Sequence, residues 1–169
     1  LFDQKIYYWG GVDEQNKLLN TLDIFDLRKG AWIRGTSGGT ARKDHTASIH
    51  SGKIYFWGGQ GSNGNLSDLD IYDINEDTWL SGVSGGIARN GHSAVVYDYK
   101  IYFWGGMGFT NVINSMDIYD ISNQSWHEGP SGGSARSEHS AVLNGSQIIH
   151  WGGMNSQILF DTMDIYDIE

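Results

Sequence analysis

Apolar residues in this chain come in short runs separated by glycine, asparagine, aspartate and serine. In one stretch four such runs follow one another, at residues 92–97, 100–104 and 116–121 and around Trp126. Valine, isoleucine, tyrosine, phenylalanine and tryptophan fill them, side chains that suit a pleated, half-buried surface. Each run predicts a β-strand. No window repeats apolar positions at helical spacing, so no helix is predicted. In the third run Ile118 alternates with Asp117 and Tyr119, which predicts one apolar face and one mixed face.

The pattern recurs along the chain. Trp-Gly-Gly occurs at Trp9, Trp57, Trp104 and Trp151, with spacings of 48, 47 and 47 residues. An Asp-Ile-(Phe/Tyr)-Asp block begins at Asp23, Asp70, Asp117 and Asp164, always 47 residues on. Another tryptophan stands at Trp32, Trp79 and Trp126, and Ala-Arg-x-x-His recurs at 41–45, 88–92 and 135–139. The unit is therefore 47 residues, and 169 residues hold about 3.6 of them. Four-stranded units of this length form the blades of a β-propeller, because one small sheet cannot cover both of its faces and radial stacking does. The chain starts in a second strand and stops after a third, so 14 strands are predicted. The blades fall at 1–35 (partial), 36–82, 83–129 and 130–169 (partial) of a single propeller segment. This phase reads as part of a longer propeller, with a four-bladed ring or a self-associating partial ring as alternatives.

These residues resemble the kelch repeat family. The resemblance rests on Ile54-Tyr55-Phe56-Trp57-Gly58-Gly59, then Tyr72, then Trp79 seven residues later. Phe25/Trp32 and Tyr119/Trp126 repeat that pair, and the segment from Arg89 to Ala94 looks like the kelch first strand. The likeness covers essentially the whole chain. It implies an all-β, kelch-type propeller of four-stranded antiparallel blades, about 3.5 of them present, with the first strand innermost. It also implies that the second-to-third loop and the blade connector share one face. No strand ends in Trp-Asp, which sets aside the other common repeat propeller.

Composition narrows the function classes. Twenty-two aromatic residues can build a core, which excludes disorder. Zero cysteines exclude a disulfide scaffold. The net charge of −9 opposes phosphate-backbone binding, so no nucleic-acid partner is expected. No apolar run is long enough for a membrane span. The first residues carry neither a Met nor an apolar signal stretch, and the compartment stays open between cytoplasmic and secreted.

Residues identical in every unit are expected to serve the scaffold. These are Arg42/His45, Arg89/His92 and Arg136/His139 as hydrogen-bonding pairs, and Trp32, Trp79 and Trp126 as blade packing. The Gly-Gly pairs are expected to serve backbone geometry, and the Asp pairs turns and strand ends. His150, where the other units have Tyr8, Phe56 and Phe103, is expected to be buried and satisfied. Function is expected where the units differ, inside Arg-x-x-His and in the loop after Gly-Gly. The candidate ligand-binding residues are Lys43, Asp44, Asn63, Asn90, Phe109, Asn111, Ser137, Glu138 and Asn155. No catalytic residue, metal ligand or cofactor is assigned.

The expectation is a non-catalytic binding or scaffold module that recognises a protein or glycan through the variable loop face. The family resemblance also covers carbohydrate-active enzymes. A galactose-oxidase-like site requires a cysteine that this chain lacks, and a sialic-acid-mutarotase-like site would draw on Arg136, Glu138 and His139. An architectural or self-assembling segment is the third reading.

Overall fold

The computed structural model describes residues 1–168, and these form antiparallel sheets without a helix. The first sheet holds β1 (Lys5–Trp9), β2 (Leu22–Asp26) and β3 (Ala31–Arg34). The second holds β4 (Thr46–His50), β5 (Lys53–Trp57), β8 (Leu69–Asp73) and β9 (Thr78–Ser81), with a ribbon of β6 (Gln60–Gly61) and β7 (Gly64–Asn65) inserted in its second-to-third loop. The third is β10 (Ser93–Tyr97), β11 (Lys100–Trp104), β12 (Met116–Asp120) and β13 (Ser125–Glu128). The fourth is β14 (Ser140–Asn144), β15 (Gln147–Trp151) and β16 (Met163–Asp167). All four are meanders of sequential neighbours, as short connections between antiparallel strands dictate. β4, β10 and β14 lie side by side, so the first strand of each of these units lines the axis. The sheets are the blades of a kelch-type partial propeller.

Two details differ from the sequence reading. The ribbon β6–β7 is additional to the 14 expected strands. Its runs are two residues long, below any pattern, and they are joined by a turn at Ser62-Asn63, after which Gly64 has φ +120°. The mixed face of the third strand is also buried. Asp117 is as enclosed as Met116 and Tyr119, because a blade interior has neighbours on both sides and Asp117 meets a buried cation there.

Aromatic packing joins the blades. Trp79 of the second blade stands 5.3 Å from Trp9 of the first and 5.5 Å from Phe56. Trp126 of the third blade repeats this, 5.2 Å from Trp57 and 5.6 Å from Phe103. In both cases the indole N–H donates to a connector carbonyl, that of Thr36 at 2.7 Å and that of Val83 at 2.8 Å. The Trp of Gly-Gly secures the same connector, for Trp57 Nε1 donates to the carbonyls of Ser67 and Gly85. Trp32 stands apart. Among the described residues its ring contacts are with Tyr8 and Phe25 of its own blade, and it remains 62% exposed.

The double glycine turns each chain away from the second strand. Gly58 and Gly59 have φ of +65° and +87°, which L side chains rarely adopt. A Cβ on Gly58 would also lie 2.7 Å from the His92 ring of the next blade. Space and backbone conformation thus select glycine together.

The same repeat position should therefore carry two different energies. Trp126→Ala should destabilise the chain by about 3 kcal/mol, whereas Trp32→Ala should cost less than about 1 kcal/mol. Urea denaturation followed by circular dichroism measures both, and equal losses would contradict the blade-interface account.

Candidate functional site

One buried arginine anchors each unit that has a first strand. Arg42, Arg89 and Arg136 have no solvent exposure. A guanidinium carries five N–H donors in a planar fork and cannot shed its charge, so burial requires acceptors on every side. Arg42 finds the carbonyls of Thr40, Gly58 and Asp68 at 3.0, 2.9 and 3.0 Å, and pairs with the Asp70 carboxylate. Arg89 bonds Ile87, Gly105 and Ser115 and pairs with Asp117. Arg136 bonds Ser134, Gly152 and Thr162, with Asp164 at 2.7 Å. In the last three Asp-Ile-(Phe/Tyr)-Asp blocks the first Asp is thus the counterion of a buried cation, a role that sequence reasoning missed. The constant spacing from Arg to Asp carried the signal, 28 residues in all three cases. The second Asp is a turn acceptor, as for Asp73 with the Asn75 and Glu76 amides.

The histidines form a belt around the inner strands. His92 shares a hydrogen bond with Thr46 of the preceding blade at 2.9 Å, and His139 does so with Ser93 at 2.8 Å. Each ring lies edge-on to a Gly-Gly tryptophan, with Trp57–His92 at 4.9 Å and Trp104–His139 at 5.0 Å. Burial and the neighbouring guanidinium push these imidazoles toward the neutral form. His45 falls to about 4 and His139 to about 3, while His92 falls well below its ordinary range. For His139 the neighbouring His150 acts after burial and before Arg136. His150 itself falls to about 4, chiefly through burial. It is buried as expected but only half satisfied. Its Nδ1 lies 3.4 Å from Ser93 Oγ, and its Nε2 has no partner among the described residues.

The variable residues sit above this frame. In each unit the first unlike position of Arg-x-x-His pairs its backbone with the second-to-third loop. Lys43 pairs with Gln60, Asn90 with Met107 and Ser137 with Met154. The second unlike positions, Asp44, Gly91 and Glu138, have φ of +54°, +60° and +56°. They link blade to blade, since the Gly91 N–H donates to the Asp44 carbonyl and the Glu138 N–H to that of Gly91. Connector and loop therefore form one surface around the axis.

Not every candidate offers its side chain to that surface. Asp44, Asn63, Phe109, Asn111 and Glu138 are exposed, and Lys43 is half-buried beside Asp44. Ser137 departs from the expectation. It is buried, because its backbone pairs with Met154 on the inner side of the loop. Asn90 is half-buried and tied to Asn65 Oδ1 at 2.6 Å, while Asn155 caps its own loop by accepting the Gln157 and Ile158 amides. Sequence reasoning overlooked other exposed apolar residues on these loops. Phe109 is 99% exposed, Leu159 is 81% exposed, and Met107, Met154 and Ile158 are also open. The signal was Met at 107 and 154, where the second unit has Gln60.

Arg136, Glu138 and His139 do not converge. The guanidinium points into its blade, the imidazole bonds Ser93, and only Glu138 reaches solvent. Among the described residues no group of three His, Asp or Glu side chains could hold a metal ion, and no helix is long and apolar enough to cross a membrane. On the opposite rim, a cleft of about 540 Å³ between the second and third blades is lined by His50, Lys53, Tyr55, Tyr99, Tyr119 and Gln124. One interface earlier the Tyr72 hydroxyl donates to Asp77, which also accepts from Thr36. Here Gln124 and Val83 stand in those places, and no such clasp forms among the described residues.

A family model described as the KLHDC2/KLHL20/DRC7 Kelch-repeats domain matches residues 1–169. The chain belongs to this kelch-repeat family. A comparison with curated proteins finds no match. The kelch assignment makes the chain a protein-interaction module in general terms, on a scaffold fixed by the Arg–Asp centres.

Two outcomes follow for this kelch scaffold. Arg89→Ala should cost about 3–5 kcal/mol by stranding the Asp117 carboxylate, and Arg89→Lys should rescue little, since an ammonium cannot reach all four partners. Acid should also destabilise the chain. The four imidazoles have folded pKa values below the ordinary 6.5, so the unfolded chain takes up protons first. Stability is retained above about pH 6.5 and falls toward pH 4, by about 1–2 kcal/mol per imidazole between pH 7 and 5. Urea melts at both pH values, with imidazole titration by NMR, check this.

Proposed function

We propose that the chain binds a protein segment through the face formed by the blade connectors and second-to-third loops of the third and fourth blades. The observation that carries this reading is the exposure of Phe109, which stands 99% open on a loop tied by backbone bonds to the connector beneath it. Leu159, Ile158 and Met154 occupy the corresponding loop of the next blade. Exposed apolar side chains on rigid supports give affinity to a protein partner, and monomeric surfaces seldom leave them open. Asn111 and Glu138, exposed on the same loops and connectors, supply the polar rim that such interfaces use. An apolar anchor of this kind favours a protein over a glycan. Glycan sites instead combine flat aromatic platforms with converging polar groups.

A peptide display library panned against the chain, followed by affinity measurement on the selected peptides, tests the reading. Phe109→Ser and Leu159→Ser should each weaken binding at least tenfold with unchanged melting temperature. Tyr99→Ala, on the opposite rim, should leave binding intact. Binding lost with Tyr99→Ala and retained with Phe109→Ser would move the site to the opposite cleft. Selection of glycans and of no peptides would overturn the protein reading.

A further inference from the structure

The cleft between the second and third blades has a complete four-stranded blade on either side. It lies on the rim of the hairpins and third-to-fourth turns, away from the variable loops, and has a volume of about 540 Å³. Pockets of that size hold small molecules. Ile71, Leu80 and Ile121 form its apolar part, and Tyr55, Tyr99 and Tyr119 its aromatic part.

The preceding interface has a carboxylate that this one lacks. There Tyr72, the counterpart of Tyr119, donates its hydroxyl to Asp77 at 2.6 Å, and Asp77 also accepts from the Thr36 hydroxyl at 2.9 Å. Forty-seven residues on, Gln124 stands in place of Asp77 and Val83 in place of Thr36. Tyr119 is 1% exposed, yet its hydroxyl has no hydrogen-bond partner among the described residues. The hydroxyl of Tyr55, whose ring lies 6.2 Å away, has none either, and neither has the buried Nε2 of His50. Buried phenols and imidazoles ordinarily find partners. Three unpartnered polar groups thus border one cleft. Lys53 pairs with Asp73 at the same rim and remains partly exposed, with further N–H donors to offer.

Tyr99 is a second, independent observation. It closes its two-residue hairpin at φ +59°, where the second blade has Gly52 at φ +74°. A bulky side chain in that region is strained, and such strain collects at ligand sites. Its ring lies edge-on to His50 at 4.8 Å and is 56% exposed beside the cleft.

We propose that this cleft binds a small aromatic carboxylate. The carboxylate takes the place that Asp77 holds one interface earlier and accepts the Tyr119 hydroxyl proton in a hydrogen bond. The aryl body fills the space among Tyr55, Tyr99 and Leu80. Gln124, an amide where the earlier interface has a negative charge, leaves the anion unopposed. The site is on the opposite rim from the loop face and stands or falls independently of it.

A panel of one- to three-ring aryl carboxylates, each beside its carboxamide, screened against the chain by ligand-observed NMR supplies the first test. At least one carboxylate should bind saturably at about 1 mM or below, and at least tenfold tighter than its carboxamide. Tyr119→Phe removes only the unpartnered hydroxyl. It should weaken that carboxylate at least tenfold and leave the melting temperature unchanged, whereas Tyr72→Phe, which breaks the internal clasp, should lower it. Tyr99→Gly should also weaken binding at least tenfold without lowering the melting temperature, since glycine adopts this backbone conformation freely. The double variant Val83→Thr/Gln124→Asp rebuilds the clasp with a carboxylate of the chain's own. It should raise the melting temperature and exclude the ligand. A panel in which no carboxylate binds, a carboxamide that binds as tightly as its acid, or binding that survives Tyr119→Phe or the double variant overturns the proposal.

Discussion

The structure depends on a buried guanidinium in each unit and on the acceptors gathered around it. A propeller brings strand ends, connectors and loop starts together near its axis, where ladder pairing ends and backbone carbonyls lack partners. Water could satisfy them only by entering the core. Arg42 resolves this with one side chain that bonds the connector at Thr40, the double-glycine corner at Gly58 and the start of the third strand at Asp68. Burying an isolated cation would be prohibitive, and the Asp70 carboxylate, which also accepts the Thr40 amide, offsets that cost. Three segments distant in sequence are thereby fixed to one point. In the first blade Asp23 pairs with Arg34 at the surface.

The contacts between blades have a direction. One partner offers an indole from its fourth strand, and the other offers a glycine in the connector with a tryptophan behind it. The side chain cannot be shared between two slots, and the glycine cannot be replaced without striking the ring. Stability in such a stack is a sum of blade terms and nearest-neighbour terms. The interface between the second and third blades also carries the His92–Thr46 bond nearer the axis, so these two blades are held at two radii. A relative twist of two blades would have to break both.

Much of this was legible in the sequence because periodicity is robust to local ambiguity. The Trp-Gly-Gly spacing located the blades, and residues identical in every unit were marked as scaffold. Partners were harder to read. Asp117 sits in a strand whose alternation suggested a mixed face, and only the three-dimensional approach of Arg89, 28 residues earlier, explains its burial. Ser137 and Glu138 are adjacent and equally unlike their counterparts, yet one is buried by loop pairing and the other is turned outward by a left-handed backbone. Side-chain exposure at a connector follows from such φ values, which residue type does not reveal for glutamate. The ribbon β6–β7 was too short to carry a pattern at all.

The position of the variable residues follows from how the frame is built. In each unit that has a first strand, the second-to-third loop pairs with the connector through backbone bonds. Backbone pairing is indifferent to side chains, so Gln60, Met107 and Met154 can occupy one structural position with different chemistry. The units use this freedom unequally. The first blade's loop carries Asp13, Glu14 and Lys17, whereas those of the third and fourth carry Phe109, Ile158 and Leu159. The repeat is thus strict where charge is buried and loose where backbone pairing holds the chain, so side-chain chemistry has room to diverge in the second region.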